Sequence, residues 1–298
     1  MPAPLLAVDA PSLLYRAFFA LPEAIKDADG APVNALLGTT NLLLQAIEEH
    51  RPRAVVMCHG AESATYRAAA LPAYHADRPP MPDALAHQWA QAEAFFAAFG
   101  WAHLDARDLE ADDLLGTLAE LERAAGGTAL LFTGDRDMFQ CVDDQIAVLW
   151  PAGKGSPEVI DLAGVRERYA IEPAQVPDFI ALRGDPSDGI PGAKGIGAKG
   201  AAQLLGAHGD LETLIALAAD PAAVTRGLLR PRVAEALRGQ ADELRAFRDI
   251  ATLRRIDIAR PPDTPTDFGG GAAAARAKGM ARLADRLDRA AAAAPQPE

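Results

Sequence analysis

Four short apolar runs recur along the first half of the chain: LLAV at 5–8, AVVMC at 54–58, ALLF at 129–132 and IAVLW from Ile146. Longer stretches with helical spacing, among them 34–50, 83–99 and 111–124, separate most of them. This alternation narrows the fold more than any other feature. A strand-length run that is apolar throughout must be covered on both faces, which is the situation of a strand in a parallel sheet flanked by helices. The predicted fold is therefore α/β, a mostly parallel sheet with flanking helices. After about residue 165 the strand-like runs largely vanish. Helical segments at 173–182, 199–206, 210–218, 231–238 and 240–255, broken by Gly and Pro, predict a second, all-helical region. ARPPDTPTDFGGG at 259–271 reads as a linker or extended edge, and the Ala-rich stretch after it as one weak helix with a frayed APQPE end.

At 298 residues, half of them hydrophobic, the chain can bury the core of one large domain or two ordinary ones. Its N-terminus, MPAPLLAVDAPSLL, lacks the basic and long apolar regions of a signal peptide. No apolar run approaches the ~20 residues that span a bilayer. Cys58 and Cys141 have neither CxxC nor Cys/His spacing, so a reduced, cytoplasmic protein without a membrane partner is expected. The net charge of −12 argues against a polyanionic partner for the chain as a whole. Residues 221–260 differ, with nine arginines against five acids, a net of +4. They could hold a polyanion locally. On charge alone the plainer reading is preferred, that these arginines solvate helices and pair with neighbouring acids.

Carboxylates fall where open α/β sheets place their ligand sites, at the carboxyl ends of strands. Asp9 follows the first run, and Asp135 and Asp137 follow the third in TGDRD. DLEADDLLG supplies Glu110, Asp112 and Asp113 at the start of a helical stretch, and RGDPSDG supplies Asp185 and Asp188 in a turn. One such acid is an ordinary helix cap or turn former. Four acidic segments at one sheet edge would repel one another unless cations bridged them. Oxygen ligands without nearby His or Cys favour Mg²⁺ or Mn²⁺ over zinc. Two such ions can activate a water and stabilise the leaving oxygen of a phosphodiester, so metal-dependent phosphoryl hydrolysis is the physical reading. On a regular helix Glu110 and Asp113 lie about 60° apart and Asp112 about 160° from Glu110. All three cannot face one site unless the helix begins inside the cluster or one acid caps it.

GIGAKG at 195–200 formally matches a dinucleotide fingerprint, but no strand precedes it and no βαβ unit surrounds it. GIPGAKGIGAKGAAQLL fits better as a tight glycine hairpin between two helices. Its backbone N–H groups and the following helix N-terminus could grip a phosphate, helped by Lys194 or Lys199.

LLAVDAPSLLYRAFFALP, LEADDLLGTLA, TGDRDMFQ and DFIALRGDPSDGIPGAKGIGAKGAAQLL resemble, in that order, the motifs of the 5′-nuclease family. Its members are flap endonucleases and the 5′–3′ exonuclease domain of bacterial DNA polymerase I. The resemblance runs from about residue 4 to 258 and looks like the free-standing bacterial form. It implies a resolvase/PIN-like domain at 1–165 with an arch at about 62–85. A helical DNA-binding domain with a helix-hairpin-helix-type motif would occupy 166–260, and a linker with an Ala-rich tail 261–298. It also implies a two-metal, Mg²⁺-dependent cut of DNA near 5′ ends at flaps, nicks and gaps, by a monomer working beside a DNA polymerase. By motif match, Asp9, Glu110, Asp112, Asp113, Asp135, Asp137, Asp185 and Asp188 become the metal-site carboxylates. Gly192, Lys194, Gly195, Gly197 and Lys199 become the hairpin on the duplex backbone, where the family often also holds a K⁺ ion on main-chain carbonyls. Arg16 would lie near the site entrance, and Arg67 and Arg78 in the arch would steer the scissile phosphate.

Two departures stand out. Many members have Phe-Asp at the end of the second strand, where this chain has Cys58-His59, and Glu62 is the only close acid that could substitute. A common arch lysine is replaced by His75, largely neutral at pH 7. These motivate an alternative, a structure-specific DNA-binding protein with weakened or lost catalysis. A PIN-type ribonuclease is a poorer third choice, because the glycine hairpin suits a DNA duplex.

Overall fold

The computed structural model describes residues 3–151 and 156–293. The chain runs β1 (Leu5–Asp9), α1 (Ala10–Ala20), α2 (Asn34–His50), β2 (Ala54–His59), α3 (Thr65–Ala70), α4 (Asp83–Ala97), β3 (Ala102–Asp105), α5 (Ala111–Ala124) and β4 (Ala129–Phe132). Then come β5 (Ile146–Trp150), β6 (Glu158–Ile160), α6 (Leu162–Tyr169), α7 (Val176–Arg183), α8 (Ala198–His208), α9 (Leu211–Ala219) and α10 (Pro221–Thr225). It ends with α11 (Pro231–Gly239), α12 (Ala241–Ala251), α13 (Phe268–Ala277) and α14 (Ala281–Ala293).

The strands form one sheet in the order β3-β2-β1-β4-β5-β6. The pairings among the first five are parallel, and only β6 runs antiparallel, against β5. Every residue of β1 is buried, and its alternation feeds two cores. Leu6 and Val8 face the core shared with α1, α2, α4, α13 and α14, while Leu5 and Ala7 face the core shared with α5 to α9, α11 and α12. The four apolar runs are four of the six strands. The periodicity did not reveal β3, whose residues are half-buried or exposed, or the three-residue β6. It did not reveal α1 either, which begins directly on the last residue of β1: Asp9 caps it by accepting the Ser12 N–H.

The arginine-rich segment mostly follows its plainer reading. Arg245 and Arg248 pair with Glu212, and Arg260 with Glu122. The C-terminal stretch departs from expectation. It forms two helices rather than one weak helix, because α13 and α14 each carry an apolar stripe and fold back on one another at Gly279 (φ 69°). Ala272, Ala275, Met280, Leu283 and Leu287 are buried in the same core as Phe96 and Phe99. The segment before them forms no strand of the sheet but is tied down by hydrogen bonds. The Thr264 N–H donates to Arg53 O, the Asp267 N–H to Phe99 O, and Trp101 Nε1 to Thr266 Oγ1. APQPE lies outside the described residues.

Candidate active site

The strand order reverses between β1 and β4, and the crevice at their carboxyl ends is where such sheets bind ligands. A cavity of about 770 Å³ opens there. Asp9, Glu110, Asp112, Asp135, Asp137 and Asp188 all line it. Asp9 closes β1, and its Oδ2 accepts the Thr133 hydroxyl at 2.6 Å, tying it to the residue after β4. Thr133 Oγ1 in turn accepts the Asp135 N–H, and Asp135 Oδ1 accepts the Asp137 N–H at 2.9 Å. One loop of hydrogen bonds thereby aims three acids from two neighbouring strands into one space.

Glu110 is the N-cap of α5, with extended backbone (φ −94°, ψ 162°), so the helix begins inside the acidic cluster. Asp112 stands in the first turn and reaches the cavity, and among the described residues its carboxylate accepts no hydrogen bond. The same holds for the Asp137 carboxylate. Burial raises the carboxyls of Asp9, Asp112, Asp135 and Asp137 above the usual range. Repulsion adds to this, from Asp135 and Asp9 on Asp112 and from Asp135 and Asp188 on Asp137. Asp135 is pushed up to about 6 by burial, with Asp188 the next cause. Among the described residues, no three His, Cys, Asp or Glu side chains are drawn together tightly enough to enclose an ion as they stand. The donor set is nonetheless hard carboxylate oxygen, part of it unbonded, with its ionised form penalised. That is the chemistry a hard divalent cation fits.

Three expected residues do not line this cavity. The Asp113 carboxylate is completely buried, and protein donors occupy it. Its Oδ1 accepts Arg67 Nη2 at 3.1 Å and the Arg254 N–H at 2.7 Å, and its Oδ2 accepts the Glu110 N–H. Asp185 is likewise engaged, by Arg183 Nη2 at 2.9 Å and by the Ser187 N–H and hydroxyl. Arg16 lines a neighbouring cavity between α1 and α2, with its Nη2 3.3 Å from where a Cβ on Gly134 would stand, so it lies at the edge of the acid cavity rather than in its wall.

The arch folds down onto the acids. Arg67 is buried, with Nη1 2.6 Å from Glu110 and Nη2 3.1 Å from Asp113, so two acids already hold the guanidinium expected to steer a phosphate. Glu110 also accepts the Ala64 N–H at 2.7 Å and the Tyr74 hydroxyl at 3.0 Å. Arg78 remains 40% exposed, 3.4 Å from Asp188. His75 takes a left-handed backbone (φ 55°) and sets Nε2 3.1 Å from Asp188, while Nδ1 meets Glu62 O. His59 does not line the cavity. Its Nε2 lies 3.0 Å from His103 Nδ1, and burial lowers the pKa of both rings. Glu62 does line the cavity, at an exposed position. Sequence reasoning gave no role to Thr133, although it opens TGDRD, and missed Tyr74 and the Arg254 amide. Only the tertiary fold brings Tyr74 and the Arg254 amide to the acids, and no motif spacing marks those two.

The glycine hairpin joins α7 to α8. Gly184 and Gly192 have positive φ, and their backbones pack so closely that a Cβ on Gly192 would lie 2.4 Å from the Gly184 nitrogen. Lys194, Gly195, Gly197 and Lys199 are exposed, and Gly197 caps α8 without a side chain. The first N–H groups of that helix therefore face outward. The Lys194 N–H donates to Gln240 Oε1, which fixes the loop to the end of α11.

Comparison with known proteins gives consistent matches. A family model described as 5′-3′ exonuclease, N-terminal resolvase-like domain, matches residues 4–170, and one described as 5′-3′ exonuclease, C-terminal SAM fold, matches 171–263. A 5′-3′ exonuclease of Streptomyces coelicolor is 38% identical over 244 residues, covering 77% of this chain and 80% of that protein. DNA polymerase I of Mycobacterium tuberculosis is 36% identical over 264 residues, 87% of this chain but 28% of the polymerase. Among solved structures, the T5 5′-exonuclease with divalent metal ions (zinc) bound has a TM-score of 0.67 at 16% identity, covering 97% of this chain and 98% of that one. The catalytic core of Rad2 in complex with DNA substrate has a TM-score of 0.64 at 15% identity, covering 95% and 91%. At such identities the two structures speak for the fold.

Proposed function

Because this chain belongs to the 5′–3′ exonuclease family, and is thereby a nuclease that hydrolyses phosphodiesters, we propose that it cuts DNA near 5′ ends, at flaps, nicks and gaps, with two divalent ions. The observation that carries this reading is the set of acids at the β1/β4 crevice, with Asp112 and Asp137 unbonded and their ionisation penalised by burial and one another. Asp9, Asp112, Asp135, Asp137 and Asp188 would hold Mg²⁺ or Mn²⁺, and Glu110 would complete the wall. When bound, such ions supply an activated water and stabilise the leaving oxygen. Asp113 and Asp185 position this set rather than ligate: one locks Arg67 and the start of α5, the other the turn bearing Asp188. Arg78, half-exposed at the cavity, is the arginine free to meet a phosphate, whereas Arg67 neutralises Glu110 and Asp113.

The hairpin would take the duplex backbone on the outward N–H groups of α8 and on Lys194 and Lys199. A K⁺ ion is proposed for its carbonyls, since those of Gly192 and Gly195 accept no hydrogen bond among the described residues. Similarity to DNA polymerase I supports action beside a polymerase in replication and repair. A monomer working in the cytoplasm is part of the same proposal; among the described residues no helix is long and apolar enough to cross a membrane. The test is cleavage of a labelled 5′ flap in Mg²⁺, abolished by Asp112→Ala or Asp135→Ala. Tight flap binding without cutting in Mg²⁺ or Mn²⁺ would instead make the chain a DNA-binding protein with lost catalysis. Matched RNA flaps separate a ribonuclease.

A further inference from the structure

The arch sets one nitrogen donor against the carboxylates. His75, between α3 and α4, is the only histidine among the described residues that lines the acid cavity, and its side chain is 5% exposed. The arch backbone packs directly on the turn that bears Asp188: a Cβ on Gly189 would lie 2.4 Å from Ala73 O. The His75 ring stacks on Tyr74, with centroids 3.8 Å apart at 24°. Nδ1 lies 2.9 Å from Glu62 O, and Nε2 lies 3.1 Å from Asp188 Oδ1. A backbone carbonyl can only accept, so Nδ1 carries the proton. In the neutral imidazole the Nε2 lone pair then faces the acceptor oxygen of Asp188. Adjacent donors on a divalent ion with bonds of about 2.1 Å stand about 3 Å apart, so the gap between these two atoms suits one shared ion. A ring fixed by its other N–H on a backbone carbonyl is also how metal-ligating histidines are oriented. The backbone at His75 is left-handed (φ 55°), a conformation that costs free energy and sets the ring in this place.

We propose that His75 ligates one of the ions together with Asp188 and Asp137, so that this cavity selects a cation that takes nitrogen, Mn²⁺ or Co²⁺, over Mg²⁺. The proposal rests on the metal reading of the acids above. Asp137 is the third donor because its carboxylate accepts no hydrogen bond among the described residues and lies within repulsive reach of Asp188. Imidazole nitrogen binds first-row transition cations, whereas Mg²⁺ keeps to oxygen ligands and water. A lysine at this position, as in many members of the family, would bring its own charge to Asp188. A histidine brings a lone pair instead.

The test loads the full chain with Mn²⁺ and reads the electron spin echo, in which a directly bound imidazole nitrogen leaves a modulation that carboxylate and water ligands do not. The wild type should show this modulation as Mn²⁺ is titrated to saturation, and ¹⁵N labelling of histidine should change its pattern. His75→Asn should lack it and bind Mn²⁺ at least about tenfold more weakly, with Mg²⁺ affinity near the wild-type value. Asn suits the control because it tolerates a left-handed backbone. Wild type that binds Mn²⁺ without a histidine modulation overturns the proposal, makes His75 an ion-pair partner of Asp188 and leaves the metal reading intact. The same modulation in His75→Asn also overturns it. If the variant does not fold, the labelled wild type decides alone. A wild type that binds no Mn²⁺ overturns the ligand and the metal reading together. One that shows the histidine modulation but cuts no flap supports the ligand and loses the nuclease reading.

Discussion

Asp112 and Asp113 are neighbours with opposite fates. Because Glu110 is an extended cap, the wheel that relates it to Asp113 does not apply, and the first turn sends Asp112 to the cavity and Asp113 into the protein. Asp112→Asn is expected to weaken Mn²⁺ binding and reduce flap cleavage by about 100-fold. Asp113→Asn should keep the Mn²⁺ stoichiometry but cost about 1–3 kcal/mol of stability, since it removes the charge opposite buried Arg67 and sets an NH₂ group against the Glu110 N–H that Oδ2 now accepts. Calorimetric titration and urea denaturation of the two variants distinguish a ligand from a positioning group. Asp135 adds a pH dependence. Its carboxyl sits at about 6 in the fold against an ordinary 3.8, so the folded chain holds the proton more tightly than the unfolded chain does. That contribution is complete below about pH 4 and is lost as pH rises through about 6. In chelator, urea midpoints should fall across this window, and Mg²⁺ added at pH 8 should restore them. A midpoint that climbs from pH 4 to 6 in chelator would contradict it.

At the scale of elements, the hairpin between α7 and α8 contains two kinds of glycine. Gly192 has φ 74° and no room for a Cβ beside Gly184, whereas Gly197 has φ −94° and nothing within 4 Å of where a Cβ would stand. Gly192→Ala should therefore cost about 2 kcal/mol or more and loosen the loop that presents Lys194. Gly197→Ala should leave the melting temperature within about a degree or two and, if the hairpin grips DNA, act only on flap affinity by crowding the approaching backbone. Thermal unfolding with parallel flap binding reads both. The glycine pattern was legible because turns with positive φ have a compositional signature. The start of α1 went unread although Asp9 as cap and Pro11 in the first turn are ordinary start signals, because no loop separates strand from helix and Asp9 serves both as strand end and as cap.

At the scale of the whole molecule, the chain visits the sheet twice. After the helical region it returns along 259–267, where buried Glu122 receives both Arg53 and Arg260, and α13 and α14 then cover α1, α2 and α4. Deleting residues 264–298 would remove Met280, Leu283 and Leu287 and uncover Phe96 and Phe99, which share their core. Removing this much apolar burial should cost about 5 kcal/mol, seen as a lower denaturation midpoint. If the truncated chain melts like the full one, the return has no role in stability. The helical region packs on the other face of the same sheet, so the two regions share a core even though their sequence patterns differ sharply near residue 165.

Apolar runs, glycine punctuation and acids placed after strands were enough to predict the parallel sheet, the helical region and a metal-dependent phosphodiesterase chemistry. Those features are local, and each follows from how one segment must bury its faces or satisfy its turns. Which acids are free was not a local matter. Asp113 and Asp112 carry the same charge, but Arg67 from the arch and the Arg254 amide engage the first and leave the second facing the cavity. A carboxylate is most open to an ion where buried protein donors have not taken its oxygens. That depends on contacts such as Asp113 to Arg254, across 141 positions of chain, which only the folded molecule brings together.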